Sequence, residues 1–187
     1  VMLRLGILGS TRGTDMLALI SAIKTNRLNA TINLVASNKH DAIILQRAKE
    51  YHLKTLYLDP KQTDYHQKLS SAFKNANINM IILIGYMKIL PTSFINDWQN
   101  KIINVHPSLL PAFAGGINNN VHEAVLNAGV KETGCTVHLV TEQIDAGPIL
   151  LQKKCAVLPN DTVETLKQRV QTLEGEALIE VLMQGVF

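Results

Sequence analysis

The sequence predicts an α/β fold: an open, mostly parallel twisted sheet with helices on both faces, in one domain over residues 1–187. Three observations lead there. Strand-like and helix-like segments alternate through the first 105 residues, the pattern of strand–helix–strand units. The strands read as short unbroken apolar runs, as strands covered on both faces do. A length of 187 residues, 47% hydrophobic and 18% charged, suits a single well-filled core and is too apolar for a disordered chain.

Leu3–Leu8, rich in aliphatics, predicts the first strand. Thr14–Lys24 follows as a helix, with Met16, Leu19, Ile20 and Ile23 on one stripe. Ile32–Ala36 predicts a second strand, Asp41–His52 a second helix and Thr55–Leu58 a short third strand. Tyr65–Asn75 is a third helix, and Met80–Ile84, the most apolar strand, is expected at the centre of the sheet. The short helix Pro91–Trp98 opens on proline, where a missing N–H costs least. Ile102–Val105 is a further strand, and after an uncharged loop Val121–Ala128 forms a helix that stops at Gly129. Thr136–Val140 and Ile149–Cys155 are strands joined by a turn carrying Asp145. Asp161-Thr-Val-Glu164 has capping-box spacing, and Leu166, Val170, Leu173, Ala177 and Val181 then recur at helical spacing. No repeat or linker interrupts the pattern.

Composition narrows the function. The net charge is +3 with no Lys/Arg block, which argues against nucleic acid and suits a small anionic ligand. The longest apolar-looking stretch, Met80 to Met87, is far short of the roughly 20 residues of a spanning helix. The N-terminal residues enter a strand at once, without a signal peptide, and the only cysteines are Cys135 and Cys155. A reduced, cytoplasmic setting is expected. Lys153 and Lys154 precede Cys155 and favour its thiolate, but both cysteines read first as strand residues filling space.

Ligands of such sheets sit beyond the carboxyl ends of the strands. The first such turn, Gly9-Ser-Thr-Arg-Gly13-Thr-Asp15, matches neither the Rossmann G-x-G-x-x-G nor a Walker A loop. Gly13 and Thr14 leave backbone N–H groups at a helix N-terminus, and Arg12 adds a guanidinium fork suited to phosphate. Asp15 repels phosphate unless its carboxylate turns inward, so phosphate binding and an ordinary capped turn both fit. Asn104 and His106, two apart at a strand end, share one face. An amide beside an imidazole can polarise a carbonyl and move a proton. The fourteen residues after His106 carry no charge and include Pro111, Gly115 and Gly116, a loop long enough to suggest a function. Asp145-Ala-Gly-Pro is a turn former. Folded beside His106, its carboxylate would favour the imidazolium. His106, His122 and His138 lack metal-ligand spacing, and no metal is expected. His40, His52 and His66 lie near helix ends and are expected in solvent.

Asn104-Val-His-Pro-Ser-Leu-Leu-Pro111, followed by Gly134-Cys-Thr-Val-His138 and Asp145-Ala-Gly-Pro-Ile-Leu-Leu-Gln152, closely resembles the folate-dependent formyltransferases. The likeness runs from the first strand to the last helix and includes Ser37-Asn38-Lys39, Gly85-Tyr-Met-Lys-Ile-Leu90 and Gln171-Thr-Leu-Glu174. It implies a Rossmann-type fold, with a phosphate-binding half at about 1–100 and a formyl-transfer and folate-binding half at about 80–187. It also implies 10-formyltetrahydrofolate as cosubstrate, without a metal. Within the family, the length and a first strand starting at residue 3 favour the stand-alone kind over members with an added barrel or regulatory domain. The acceptor of that kind is the amine of 5-phosphoribosylglycinamide, in purine biosynthesis. By the same resemblance Asn104, His106 and Asp145 match the catalytic trio, and Gly13, Thr14 and Asp15 the phosphate loop. Gln171 and Glu174 match contacts to the ribonucleotide, and their i, i+3 spacing puts them on one helix face. Met87, Lys88, Ile89 and Leu90, with Asn104, match the folate pocket. A folate-facing Arg of the family has no counterpart, and Lys61 or Gln62 stands in that neighbourhood.

Three departures stand out: Asp15 where the family has an amide, the longer loop Ala112–Asn120, and an end at Phe187. The expected partners are the two small molecules, with no nucleic acid and no membrane, and a homodimer left open. Two rivals remain: a formyltetrahydrofolate hydrolase using water, and a non-catalytic nucleotide-binding module. The joint presence of Asn104, His106 and Asp145 argues against the second rival.

Overall fold

Residues 2–116 and 119–185 are described by a computed structural model, with only the backbone of Asn119. Ile117, Asn118 and the end at Phe187 lie outside the described residues. The fold is the expected α/β class with an open, mostly parallel sheet. The chain forms two compact units, the first ending at Ile103 and the second beginning at Asn104.

The first unit contains β1 (Leu3–Leu8), α1 (Thr14–Lys24), β2 (Ala30–Ser37), α2 (Ile43–Glu50), β3 (Thr55–Tyr57), α3 (Tyr65–Asn75), β4 (Met80–Leu83) and α4 (Thr92–Asp97). Its strands lie in the order β3-β2-β1-β4, every pairing parallel. The chain runs outward from β1 to β3 and then returns to the other side of β1. That reversal makes the carboxyl ends of β1 and β4 the topological switch point. All four residues of β4 are buried, as are Leu5, Ile7 and Leu8 of β1. Phe73 of α3 packs directly over Gly6, where a Cβ would meet its ring at 2.8 Å. The Trp98 indole N–H donates to Ser70 Oγ at 3.0 Å, and that hydroxyl donates to Asp97 at 2.9 Å, tying α3 to the end of α4. Helix α2 is shorter than its sequence pattern. His52 takes a left-handed φ of 59°, which turns the chain out of the helix.

Strand β5 (Ile102–His106) leads into the second unit, which holds α5 (Asn119–Ala128), β6 (Glu132–Leu139), β7 (Ile149–Ala156) and α6 (Val163–Gln184). Strands β6 and β7 pair antiparallel from Glu132↔Ala156 to His138↔Ile149. This pairing extends β6 four residues before the apolar stretch that announced it. Helix α6 lies against both strands and buries Leu166, Val170, Ala177, Leu178 and Val181, with Leu173 only half-buried.

Two expectations are corrected, on the α6 cap and on His66. The capping box of α6 is one residue later than the Asp161/Glu164 spacing suggests. Thr162 is the N-cap, its Oγ accepts from the Thr165 N–H at 3.2 Å, and Thr165 Oγ accepts from the Thr162 N–H at 2.9 Å. Asp161 is engaged elsewhere, in a two-pronged pair with Arg169 at 2.7 and 2.9 Å and as acceptor from Leu158 N–H. That pairing holds its carboxyl well below the usual range. Cys155 behaves as the space-filling strand residue the sequence favours, since burial pushes its thiol up against a smaller opposing pull from Arg169. His66 is half-buried rather than solvated. Its Nε2 is enclosed, and burial lowers its pKa ahead of the charge on Lys88. His40 and His52 are exposed, as expected.

The cap assignment separates two substitutions. Thr162→Ala and Thr165→Ala should each cost about 1 kcal/mol in urea unfolding, with the double variant little worse than either alone. Glu164→Gln should cost only about 0.3 kcal/mol, the loss of one charge from the first turn.

Candidate active site

Residues Asn104 and His106 project from the same face of β5 at its carboxyl end, as a period of two requires. His106 is buried, at 3% exposure. Its Nε2 lies 3.0 Å from the Phe113 carbonyl, which can only accept, so Nε2 carries hydrogen. Its Nδ1 lies 3.5 Å from Asp145 Oδ2. Both ring nitrogens therefore face acceptors. The same Asp145 oxygen accepts from Gly115 N–H at 2.7 Å. The turn thus holds the carboxylate beside His106.

Asp145 takes a φ of 53°, and two residues on Gly147 lies tight against β6. A Cβ at Gly147 would come within 1.8 Å of the Leu139 carbonyl oxygen, so only glycine lets the turn seat this closely.

The loop after β5 is fixed by residues that the sequence reading did not single out. Thr136 in β6 is fully buried. Its hydroxyl donates to the Ser108 carbonyl at 2.7 Å and accepts from Leu110 N–H and from Gln152 Nε2, each at 3.0 Å. Gln152 also donates to the Leu110 carbonyl at 2.9 Å, and Ser108 Oγ to the Ala112 carbonyl at 2.6 Å. Thr136 and Gln152 stand directly opposite each other in the β6–β7 register. Thr136 and Gln152, a hydroxyl and an amide on neighbouring strands, were the available signal.

Two further histidines belong to this unit. His138, 3% exposed, lies 3.3 Å from Asn104 Nδ2 and 4.0 Å from Asp145 Oδ1 through Nε2, and 3.0 Å from the Leu139 carbonyl through Nδ1. Burial lowers its pKa, against upward pulls from the Leu139 carbonyl and Asp145. His122 of α5 is 2% exposed, and its buried Nδ1 has no hydrogen-bond partner. Burial first, then the charges of Lys167 and His106, push its pKa down to about 4. Among the described residues no three His, Cys, Asp or Glu side chains gather as a metal site.

Gln171 and Glu174 lie on α6, the first half-buried and the second buried.

In the first unit the turn after β1 opens α1 on Gly13, whose φ of 69° is left-handed, with no side-chain cap. Arg12 is exposed, and its carbonyl accepts from Arg47 at 2.9 Å. Thr14 is half-buried, and Asp15 is buried in the first helical turn at 6% exposure. A carboxylate there is favoured by the helix dipole. Ser10, also not foreseen, links the segments around this turn. Its Oγ donates to Asn38 Oδ1 at 2.6 Å and accepts from Met87 N–H at 3.0 Å. Of the segment expected to line a folate pocket, Met87, Lys88 and Ile89 are exposed and Leu90 turns into the core. Lys61 and Gln62 are exposed, and Gln62 accepts from Lys68 at 2.8 Å.

The formyl transferase family matches residues 3–182. The chain is 35% identical over 172 residues to phosphoribosylglycinamide formyltransferase of Escherichia coli (strain K12), covering 90% of this chain and 80% of that one. It is 40% identical over 178 residues to the trifunctional purine biosynthetic protein adenosine-3 of Gallus gallus, covering 93% of this chain but only 17% of that protein's length. The crystal structure of glycinamide ribonucleotide transformylase 1 from Symbiobacterium toebii superposes with a TM-score of 0.91 at 34% identity, over 97% of this chain and 86% of that one.

Two measurements test the site's construction. Thr136→Val leaves Leu110 N–H and the Ser108 carbonyl without their buried partner, and should cost about 2–3 kcal/mol in denaturant unfolding. For His122 the folded pKa lies below that of the unfolded chain, so the unfolded state binds the proton first. Stability is complete above about pH 6.5 and falls as the pH drops toward 4, by on the order of 2–3 kcal/mol. His122→Gln should flatten the urea midpoint across that window relative to the parent.

Proposed function

This chain belongs to the formyl transferase family, and from that premise we propose that it transfers the formyl group of 10-formyltetrahydrofolate to the amine of 5-phosphoribosylglycinamide, a step of purine biosynthesis. One observation carries the reading: Asn104, His106 and Asp145 stand together at the end of β5, with the carboxylate 3.5 Å from the buried imidazole.

The reaction makes one bond and breaks one. The acceptor nitrogen bonds to the formyl carbon, the carbon–N10 bond of the folate breaks, and a proton passes from the amine to N10. Charge develops on the formyl oxygen as the amine attacks. His106 Nε2–H and the remaining N–H of Asn104 are donors suited to that oxygen. Asp145 stands 3.5 Å from Nδ1, and the pair gives a route for the proton. His106 Nε2–H is bonded to the Phe113 carbonyl, so the formyl oxygen must take the place of that carbonyl. In the first unit, the open N–H groups of the α1 terminus at Gly13 and Thr14 suit the acceptor's phosphate, with Arg12 beside them. Asp15 is buried in the first helical turn, so its carboxylate is turned inward and is not offered to the phosphate. Gln171 and Glu174 are assigned to the ribonucleotide, and Met87, Lys88, Ile89 and Leu90, with Lys61 or Gln62, to the folate. A cytoplasmic setting goes with this reading. Among the described residues no helix is long and apolar enough to cross a membrane.

The deciding experiment is a turnover assay with 10-formyltetrahydrofolate, with and without the ribonucleotide. Folate release should require the ribonucleotide, and release independent of it would make the protein a hydrolase. His106→Ala and Asn104→Ala should each lower kcat on the order of a hundredfold or more while leaving the KM for the folate close to the parent's. Near-normal turnover in both variants would remove the proposed roles.

A further inference from the structure

We propose that His138 is the positioning residue of the site: as a neutral ring protonated on Nδ1, it fixes which way the Asn104 amide faces. This rests on the reading above that Asn104 donates a hydrogen bond to the reacting oxygen. An amide's nitrogen and oxygen are nearly the same shape, so a donor role needs something that tells them apart.

The structure supplies it in three contacts. The Leu139 carbonyl, 3.0 Å from His138 Nδ1, has only lone pairs to offer, so Nδ1 carries the ring's hydrogen. A neutral ring then has a bare lone pair on Nε2, and that nitrogen lies 3.3 Å from Asn104 Nδ2. One Asn104 N–H is held there, and the other projects in a fixed direction. Turning the amide over would set its oxygen against the Nε2 lone pair, two acceptors face to face in a buried site. Burial of the ring opposes the protonation that would relieve this.

The third contact shows what the neutral ring avoids. Asp145 Oδ1 is 4.0 Å from Nε2. A hydrogen on Nε2 would draw that carboxylate away from His106 and release the Asn104 amide in the same step. The titratable groups around the ring are Asp145 and His106, and they pull in opposite senses. Among the described residues, His138 is the histidine hydrogen-bonded to the Asn104 amide. His122 lies near His106 and makes no hydrogen bond through its buried Nδ1.

The test uses the full chain. With 15N-labelled histidine, His138 should show a protonated Nδ1 and an unprotonated Nε2 at the assay pH. A proton on Nε2 would overturn the proposal, and this measurement needs no variant. His138→Gln keeps an acceptor near the Nε2 position, whereas His138→Asn keeps only the end that meets the Leu139 carbonyl. His138→Asn should lose on the order of ten- to a hundredfold in kcat with both KM values little changed, and His138→Gln should recover most of it. In an Asn104→Ala background, His138→Asn should add nothing further. Equal losses in the two His138 variants, or a full extra loss in that background, would make His138 a packing residue and end the proposal. If Asn104→Ala is crippled and His138→Asn is not, the proposal alone fails. If Asn104→Ala turns over normally, the reading of Asn104 fails and takes this with it.

Discussion

The second unit depends on one oxygen atom. The Thr136 hydroxyl has one hydrogen to give and two lone pairs to fill, and all three are used, toward Ser108, Leu110 and Gln152. It sits in β6, is reached by a side chain from β7, and holds the loop that follows β5. The strand end bearing Asn104 and His106 and the β6–β7 turn bearing Asp145 are therefore referenced to a common point. Sub-ångström placement of donors is what makes them useful on a developing charge, and a fully satisfied buried hydroxyl is a stiff way to obtain it. The three sequence stretches that travel together around residues 104–111, 134–138 and 145–152 thus have a physical link. Each contributes a partner to this hydroxyl or to the groups it places.

Three buried histidines in the unit share a composition and differ in surroundings. His106 has an acceptor at each ring nitrogen. His138 has a carbonyl at one nitrogen and an amide N–H at the other. His122 has a buried nitrogen without a partner and neighbouring positive charge. Each arrangement favours a different hydrogen pattern on the same ring. The differences come from main-chain carbonyls and from one carboxylate, not from the residue type. Placing one carboxylate between His106 and His138, at 3.5 and 4.0 Å, requires that only one of them compete for it.

Much of this was legible in the sequence. Helices α1 and α3 and strand β1 lie where periodicity put them, because their apolar spacing, breakers and lengths agree with one another. Shared facing of Asn104 and His106 followed from the period of a strand. What was not legible depends on pairing between distant segments. The start of β6 is set by hydrogen bonds to β7, not by its own composition. The cap of α6 moved by one residue because Arg169, eight positions on, claims Asp161. Burial of His66, the contact between His138 and Asn104, and the bridging role of Ser10 all come from tertiary contacts that no local window contains.

The group that caps His106 is a main-chain carbonyl, and this decides how the contact can be altered. Exchanging Phe113 for another residue unbranched at Cβ leaves the carbonyl in place, so an alanine scan along the loop would pass over it without a signal. The handle is the backbone. Phe113 has a φ of 57°, a region that glycine enters without strain and a β-branched residue enters at a cost. Glycine at this position would loosen the loop's hold on the shape that aims the oxygen, and valine or isoleucine would push it off that shape. Inheritable variation at residue 113 therefore acts on the site through torsional preference, and any tuning of how readily His106 is uncovered is encoded in chain geometry, not in side-chain chemistry.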